Sequence, residues 1–231
     1  MFFAVRDRAR GECHLADLNA ELVNTWQVVR DRRAQLLTAL RHYEGKNEEA
    51  DYLAVRDLSP RGRIVRAARF IYLNQTSWNG LWRVNRWGVY NVPWGARPFR
   101  GIDAAQLRRV SASLQDVGIV EEDFRVSLTR ARAGDFVYLD PPYLPISDTS
   151  KFHGYTEKRF RATDLAELAA ICRKLTQRGV RWVFSNRDNA RMRTLFSQAR
   201  IVSLTTRRSV SAQNLRDVQP VDSPEVIIIG D

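Results

Sequence analysis

Cysteine and histidine are scarce in this chain, and that scarcity removes two classes of chemistry. Cys13 and Cys172 stand alone, and His14, His42 and His153 lie far apart. Neither a disulfide framework nor a metal-ligand spacing can be drawn from them. All five read as packing or surface residues, and no metal is expected. Lysine is rare too: only 4 of the 37 basic residues are Lys, the other 33 being Arg. Long apolar runs are missing and charge begins at Arg6, which argues against a membrane span and a secretory leader. Internal repeats and low-complexity linkers are likewise not found. The expectation is a cytoplasmic protein with no membrane partner.

What is present is charge of one sign. The formal net charge is +11 on 231 residues. Arginine presents a planar fork to phosphate oxygens and base edges, so the excess points to a nucleic-acid partner. The length suffices for one sizeable α/β core and a smaller appendage.

Along the chain, the opening MFFAVRDR has no N-cap and reads as the tail of a helix. Cys13–Ala16 reads as a short strand running into Asp17. Asn19 can cap a following helix on which Leu22, Trp26 and Val29 recur at helical spacing. Residues 30–115 differ: they are rich in Arg, Trp and Asn and weak in strand signal. They are helical at Arg63–Leu73 and Ala104–Leu114, with a polar-aromatic stretch, Asn74–Arg100, between. After them come strands Ile119–Phe124 and Phe136–Leu139, then a helix with Thr163 as N-cap. Its apolar face is Leu165, Leu168, Cys172 and Leu175, and Gly179 stops it. Strand Trp182–Ser185, helix Ala190–Ser197, and strands Ile201–Thr205 and Glu225–Ile229 complete the pattern.

Buried strands alternating with helices imply an α/β fold built on a doubly wound, mostly parallel sheet. The expected domains are a catalytic part, residues 1–29 and 116–231, and a helical insertion, residues 30–115.

The sharpest feature is Val137-Tyr138-Leu139-Asp140-Pro141-Pro142-Tyr143. Ligands of open α/β sheets bind beyond the carboxyl ends of strands, where Asp140 falls. Two prolines stiffen the backbone and remove two N–H donors, leaving a carboxylate and carbonyl oxygens beside an aromatic ring. An exocyclic amine on a planar base has two N–H groups to donate and a face to stack, and is a natural guest.

At this point the chain resembles the Dam-type (D12 class) DNA adenine-N6 methyltransferases, in which Asp-Pro-Pro-Tyr is the catalytic segment. Further stretches are similar in the same order. Leu15-Ala16-Asp17-Leu18-Asn19 resembles the segment whose acid holds the ribose hydroxyls of S-adenosylmethionine. Asp123-Phe124 resembles the pair near the cofactor adenine. Phe70–Asn74, Asn79-Gly80-Leu81 and Asn91-Val92-Pro93-Trp94-Gly95 resemble the recognition module. Ser185-Asn186 and Arg207–Ser211 resemble the closing segments, and Lys151–Tyr155 with Phe160 resembles the segment that covers the flipped base.

The resemblance implies a fold of the S-adenosylmethionine-dependent type with an inserted DNA-recognition module, acting on double-stranded DNA as a monomer. It implies that the target adenine leaves the stack, at a cost of a few kcal/mol, and lies on Tyr143. Asp140 and the Pro141 carbonyl then accept the amino hydrogens, and Asp140 also takes the released proton. Asp17, Asp123, Phe124 and Asp140 would face the cofactor. Trp78 and Asn79 would fill the space left by the base, Arg83 would reach a guanine edge, and Leu81, Pro93 and Arg97 would complete the DNA-facing set.

Two departures qualify this. Ala96-Arg97 stands where the best-known GATC methylases carry an Arg then a Tyr, so GATC is a first guess for the site. Nothing matches the family's lysine-containing opening segment or its Phe-x-Gly-x-Gly loop. From that follows an expectation of poor cofactor binding and low stability. The alternatives are an RNA amino-group methyltransferase and a catalytically impaired remnant that keeps DNA binding.

Overall fold

The computed structural model describes residue 3 and residues 11–85, 87–143, 160–208 and 221–231. Its contacts group into two compact units divided between Asp123 and Phe124.

In the first unit, β1 (Cys13–Asp17) and β2 (Val117–Glu121) pair in parallel, Cys13 opposite Val117 and Asp17 opposite Glu121. Between them run α1 (Ala20–Asp31), α2 (Arg33–Arg41), α3 (Glu49–Asp57), α4 (Arg63–Thr76), a 3-10 turn Trp78–Gly80 and α5 (Ala104–Ser113). Asn19 starts α1 as expected: its Oδ1 accepts from the N–H groups of Glu21 and Leu22 at 3.1 and 3.2 Å. Such a cap contributes about 1 kcal/mol.

Helices and strands share one core. Leu36, Tyr52, Ala67 and Leu73 are fully enclosed and cluster with Val117 and Ile119 of β2. Glu21 of α1 takes both Nε and Nη2 of Arg66 on α4. Gln27 of α1 donates to the Ile119 carbonyl at 2.8 Å. The β2 strand ends earlier than the apolar pattern suggested. Its final rung is the Glu122 N–H donating to the Asp17 carbonyl at 3.1 Å, and Phe124 opens a short helix instead. The consecutive acids Glu121-Glu122-Asp123 do not suit a buried strand.

In the second unit, α6 (Phe124–Ser127) and β3 (Phe136–Leu139) precede α7 (Ala162–Gln177), β4 (Arg181–Arg187), α8 (Ala190–Leu195), β5 (Arg200–Arg208) and β6 (Val221–Gly230). The sheet order is β3-β4-β6-β5. β3 and β4 are parallel, while β6 is antiparallel to both β4 and β5. The parallel expectation therefore holds for β1–β2 and β3–β4 and stops at β6. A parallel neighbour needs a crossover helix, and no helical pattern separates Ile201–Thr205 from Glu225–Ile229.

Leu165, Leu168, Cys172 and Leu175 of α7 pack on Val180, Trp182, Phe184, Val226 and Ile228. Thr163 is inside α7 rather than its cap; the Asp164 carboxylate accepts the Arg161 N–H at 2.6 Å and closes the first turn. Gly179 ends the helix as expected, at φ 75°, with its own N–H on Thr176 and that of Val180 on Leu175. Gly230 is required for another reason: a Cβ there would lie 2.1 Å from the Trp182 indole.

Candidate active site

β3 stops at Leu139 because Pro141 and Pro142 have no N–H to extend the ladder. Its neighbour β4 continues to Arg187. Leu139 pairs with Phe184, so the next step brings Asp140 alongside Ser185. The Ser185 hydroxyl donates to Asp140 Oδ1 at 3.1 Å, and Tyr138 and Ser185 hydroxyls lie 3.0 Å apart. Serine has one hydrogen, given to Asp140, so Tyr138 is the donor in that pair. One residue on, Asn186 Nδ2 donates to the Pro141 carbonyl at 3.4 Å, while its Oδ1 accepts the Arg187 N–H at 2.9 Å. Asn186 is buried, in line with Trp182 and Phe184 on the core face of β4. Asp140 and Pro142 are exposed, and Pro141 and Tyr143 half-buried. No described hydrogen bond uses Asp140 Oδ2. A carboxylate and a carbonyl oxygen on successive residues, each held by one donor from β4, thus mark an accessible strand end.

A second carboxylate, Asp17, ends β1. The Asn19 N–H donates to its Oδ1 at 2.7 Å. Partial burial lifts the Asp17 carboxyl above the usual range, with the Asn19 hydrogen bond pulling the other way. Its residue surface is nonetheless open, so the desolvation comes from apolar neighbours on one side. They line a cavity of about 230 Å³ that includes Leu15, Leu22, Trp26 and Ile119, with the Phe3 ring 5.8 Å from that of Trp26. A carboxylate beside an apolar wall suits a sugar diol that carries a planar base. Asp123 lies at the end of the first unit and Phe124 at the start of the second, where the Arg125 guanidinium stands 4.5 Å over the Phe124 ring.

The stretch from Ser77 to Arg97 is closely braced. Bridges join Ser77 to Trp94 and Val84 to Tyr90. The Trp78 N–H donates to Pro93 and the Gly95 N–H to Thr76, both at 2.9 Å. Gly95 permits this approach, since a Cβ would lie 2.4 Å from the Ser77 carbonyl oxygen. Asn79 and Gly80 take left-handed backbone, at φ 54° and 65°, and Asn74 Nδ2 fixes the Gly80 carbonyl at 2.7 Å.

Arg83 donates from Nε to Asn91 Oδ1 at 2.8 Å and from Nη2 to the Asn91 carbonyl at 2.9 Å. A guanidinium has five N–H groups, so three remain for another acceptor. Trp82 is a packing residue, with ring centroids 4.3 Å from Phe70 and 4.7 Å from Tyr90. Trp87, Trp78, Pro93 and Arg97 are exposed, and Asn79, Leu81 and Arg83 half-buried. Ala96, where the sequence departs from the GATC pattern, has φ 52°.

Lys151–Tyr155 and Ser209–Ser211 lie outside the described residues. Among those described, no group of three or more acidic, His or Cys side chains could hold a metal ion. No helix there is long and apolar enough to cross a membrane.

Residues 1–210 match the family described as D12 class N6 adenine-specific DNA methyltransferase. The chain belongs to that family. It is 32% identical over 207 residues to a Type II methyltransferase of Lactococcus lactis subsp. cremoris, covering 86% of this chain and 73% of that protein. A Type II methyltransferase of Methanocaldococcus jannaschii is 38% identical over 189 residues, 76% of this chain and 65% of its own. The DNA adenine methylase of Escherichia coli strain K12 is 31% identical over 202 residues, with 86% and 73% covered. The mixed α/β architecture with small sheets is compatible with a methyltransferase fold. As a member of this adenine-specific DNA methyltransferase family, the chain is an enzyme of N6 methylation, and DNA rather than RNA is its substrate class.

In the sequence Tyr138 carries no role of its own, while Asn91 and Ser185-Asn186 have only a place in the family's order of segments. One signal was available: Asn186 follows Trp182 and Phe184 at period two, a polar residue on an apolar face, which must find a partner when buried.

Proposed function

We propose that the chain transfers a methyl group from S-adenosylmethionine to N6 of an adenine extruded from duplex DNA, acting as a monomer. The observation that carries this reading is that the Asp140 carboxylate and the Pro141 carbonyl, successive acceptors at the end of β3, are each held by one donor from β4. An adenine amine donates two hydrogens, and its nitrogen lone pair is delocalised into the purine ring. Accepting one hydrogen at Asp140 and the other at Pro141 rotates that lone pair out of conjugation. Tyr143 supplies a face on which the base stacks, a contact worth about 1–3 kcal/mol. The work of these residues is positioning and electrostatic stabilisation, and Asp140 receives the proton left after transfer.

Asp17 fits the nucleoside part of S-adenosylmethionine: its carboxylate can accept from both ribose hydroxyls beside an apolar cavity. Asp123 and Phe124 extend that set, and Asp140 faces the cofactor as well as the base. When bound, the cofactor supplies an electrophilic methyl group. The doubly wound sheet and the division into a catalytic part, residues 1–29 and 116–231, and a recognition module, residues 30–115, belong to the same reading. In that module Trp78 and Asn79 fill the gap in the stack, Arg83 reads a guanine, and Leu81, Pro93 and Arg97 contact the duplex. The braced geometry of Arg83 against Asn91 supports this, because a pre-set guanidinium loses less freedom on binding. GATC is the first sequence to test.

The experiment is transfer of labelled methyl groups to duplex DNA, followed by digestion to nucleosides. Label is expected in N6-methyladenine and is expected to be blocked in DNA already methylated at N6. Label in cytosine, or preferential transfer to ribosomal RNA, would overturn the proposal.

A further inference from the structure

The Asp140-Pro141-Pro142 segment has a structural problem that its own backbone cannot solve. Two successive residues lack N–H groups, so the segment offers acceptors and almost no donors by which to be fastened. An exposed Asp140 has freedom about both χ angles, and acceptors for an amine work only within a narrow range of direction. The donors come from β4. Ser185 reaches Asp140 Oδ1 at 3.1 Å and Asn186 reaches the Pro141 carbonyl at 3.4 Å, one donor to each acceptor.

We propose that Ser185 and Asn186 are positioning residues for methyl transfer, setting the directions of the two oxygens that receive the adenine amine. This rests on the reading of Asp140 and Pro141 given above. Each side chain is itself fixed. Tyr138 donates to Ser185 Oγ at 3.0 Å, which aims the serine hydrogen at Asp140. The Arg187 N–H holds Asn186 Oδ1 at 2.9 Å, which turns the amide so that its NH2, not its oxygen, faces Pro141. Both acceptors keep capacity for a ligand: Asp140 retains Oδ2, and a carbonyl oxygen with one lone pair engaged has a second. The chain Tyr138 to Ser185 to Asp140 lies on one face of the β3–β4 pair and Asn186 on the other. The two acceptors are therefore held from opposite sides.

The test uses the full chain, with single-turnover transfer to duplex DNA, DNA affinity and thermal midpoint measured on each variant. Ser185→Ala and Asn186→Ala are each expected to slow transfer about tenfold with DNA affinity nearly unchanged; the midpoint should hold in Ser185→Ala and fall by a few degrees in Asn186→Ala, where a buried amide with two hydrogen bonds is lost. Ser185→Thr, which keeps the hydroxyl, is expected to recover most of the rate. Tyr138→Phe should cost about threefold. Equal loss in Ser185→Thr and Ser185→Ala, or losses that track the thermal midpoint, would overturn the inference. A crystal structure of Ser185→Ala gives a readout independent of turnover: Asp140 is expected in a new or divided rotamer, and an unmoved Asp140 counts against the proposal. Asp140→Ala separates the two levels. If it transfers methyl groups at the normal rate, the reading of the site fails; if it is inactive while the β4 variants are normal, only the positioning role fails.

Discussion

Asp17 and Asp140 occupy equivalent places, each closing a strand that pairs in parallel with a neighbour, yet they are held in opposite ways. Asp17 is fastened by the N–H of Asn19, two residues on, and Asn19 is also the cap of α1. Asp140 is fastened by Ser185, 45 positions away, because the prolines that follow it cannot donate. A carboxylate followed by a helix start carries its own anchor, whereas one followed by prolines must borrow an anchor from the next strand. In the proposed function the first serves cofactor binding and the second chiefly the chemistry. Amine activation is sensitive to direction, so a carboxylate held by a neighbouring strand in a stiff loop suits that task.

That division can be broken by experiment. Asp140→Ala is expected to lower turnover about a thousandfold, with a smaller loss of cofactor affinity than Asp17→Ala shows, because Asp140 faces the reacting amine as well as the cofactor. Asp17→Ala should do the reverse, weakening S-adenosylmethionine about ten- to a hundredfold through lost charge-assisted hydrogen bonds, with turnover at saturation nearly kept. If both variants lose turnover alone, measured by titrating cofactor, the two carboxylates do not differ in task. Arg83 is held locally like Asp17, by Asn91 eight residues on. Arg83→Ala should remove about 1–3 kcal/mol of discrimination at one base pair, seen as relaxed sequence choice; uniform weakening at every sequence would reduce it to a phosphate contact.

Smaller effects sharpen the local anchor. Asn19→Ala removes two cap hydrogen bonds and should cost about 1 kcal/mol in denaturant unfolding. Asp17 also sets a pH dependence. Its folded carboxyl pKa lies above the ordinary value of 3.8 because of partial burial. The fold thus favours the protonated form, and Asp17 withdraws stability as pH rises from the ordinary value through the raised one. Asp17→Asn should therefore melt slightly higher than the parent at neutral pH and equal to it in strong acid. Cofactor affinity in the parent should fall as pH drops through the raised pKa, and unchanged affinity there would remove Asp17 from the binding site.

What was legible in the sequence follows the same division. The Asn19 cap, the Gly179 stop and the bounds of β3 are written in residues a few positions apart, and the structure has them as expected. The stop of β3 before Asp140-Pro141-Pro142 was legible because proline acts on its own backbone. The end of β2 was misplaced because an apolar period was followed into three acids, and the start of α7 because Thr163 is a good cap that Asp164 displaced. The antiparallel β6 and the grip of Ser185 and Asn186 on the β3 loop depend on register between strands, which no local pattern records. Trp82 and Trp87 lie in one polar-aromatic stretch, Asn74–Arg100, and only burial against Phe70 and Tyr90 tells the packed ring from the exposed one.

The most direct measurement is a crystal structure of the full chain bound to a duplex containing its target adenine. The expected result is an extruded adenine with N6 about 3 Å from both an Asp140 carboxylate oxygen and the Pro141 carbonyl oxygen, its ring on Tyr143. An adenine that remains stacked in the duplex, or an amine held by other residues while Asp140 faces solvent, would contradict it.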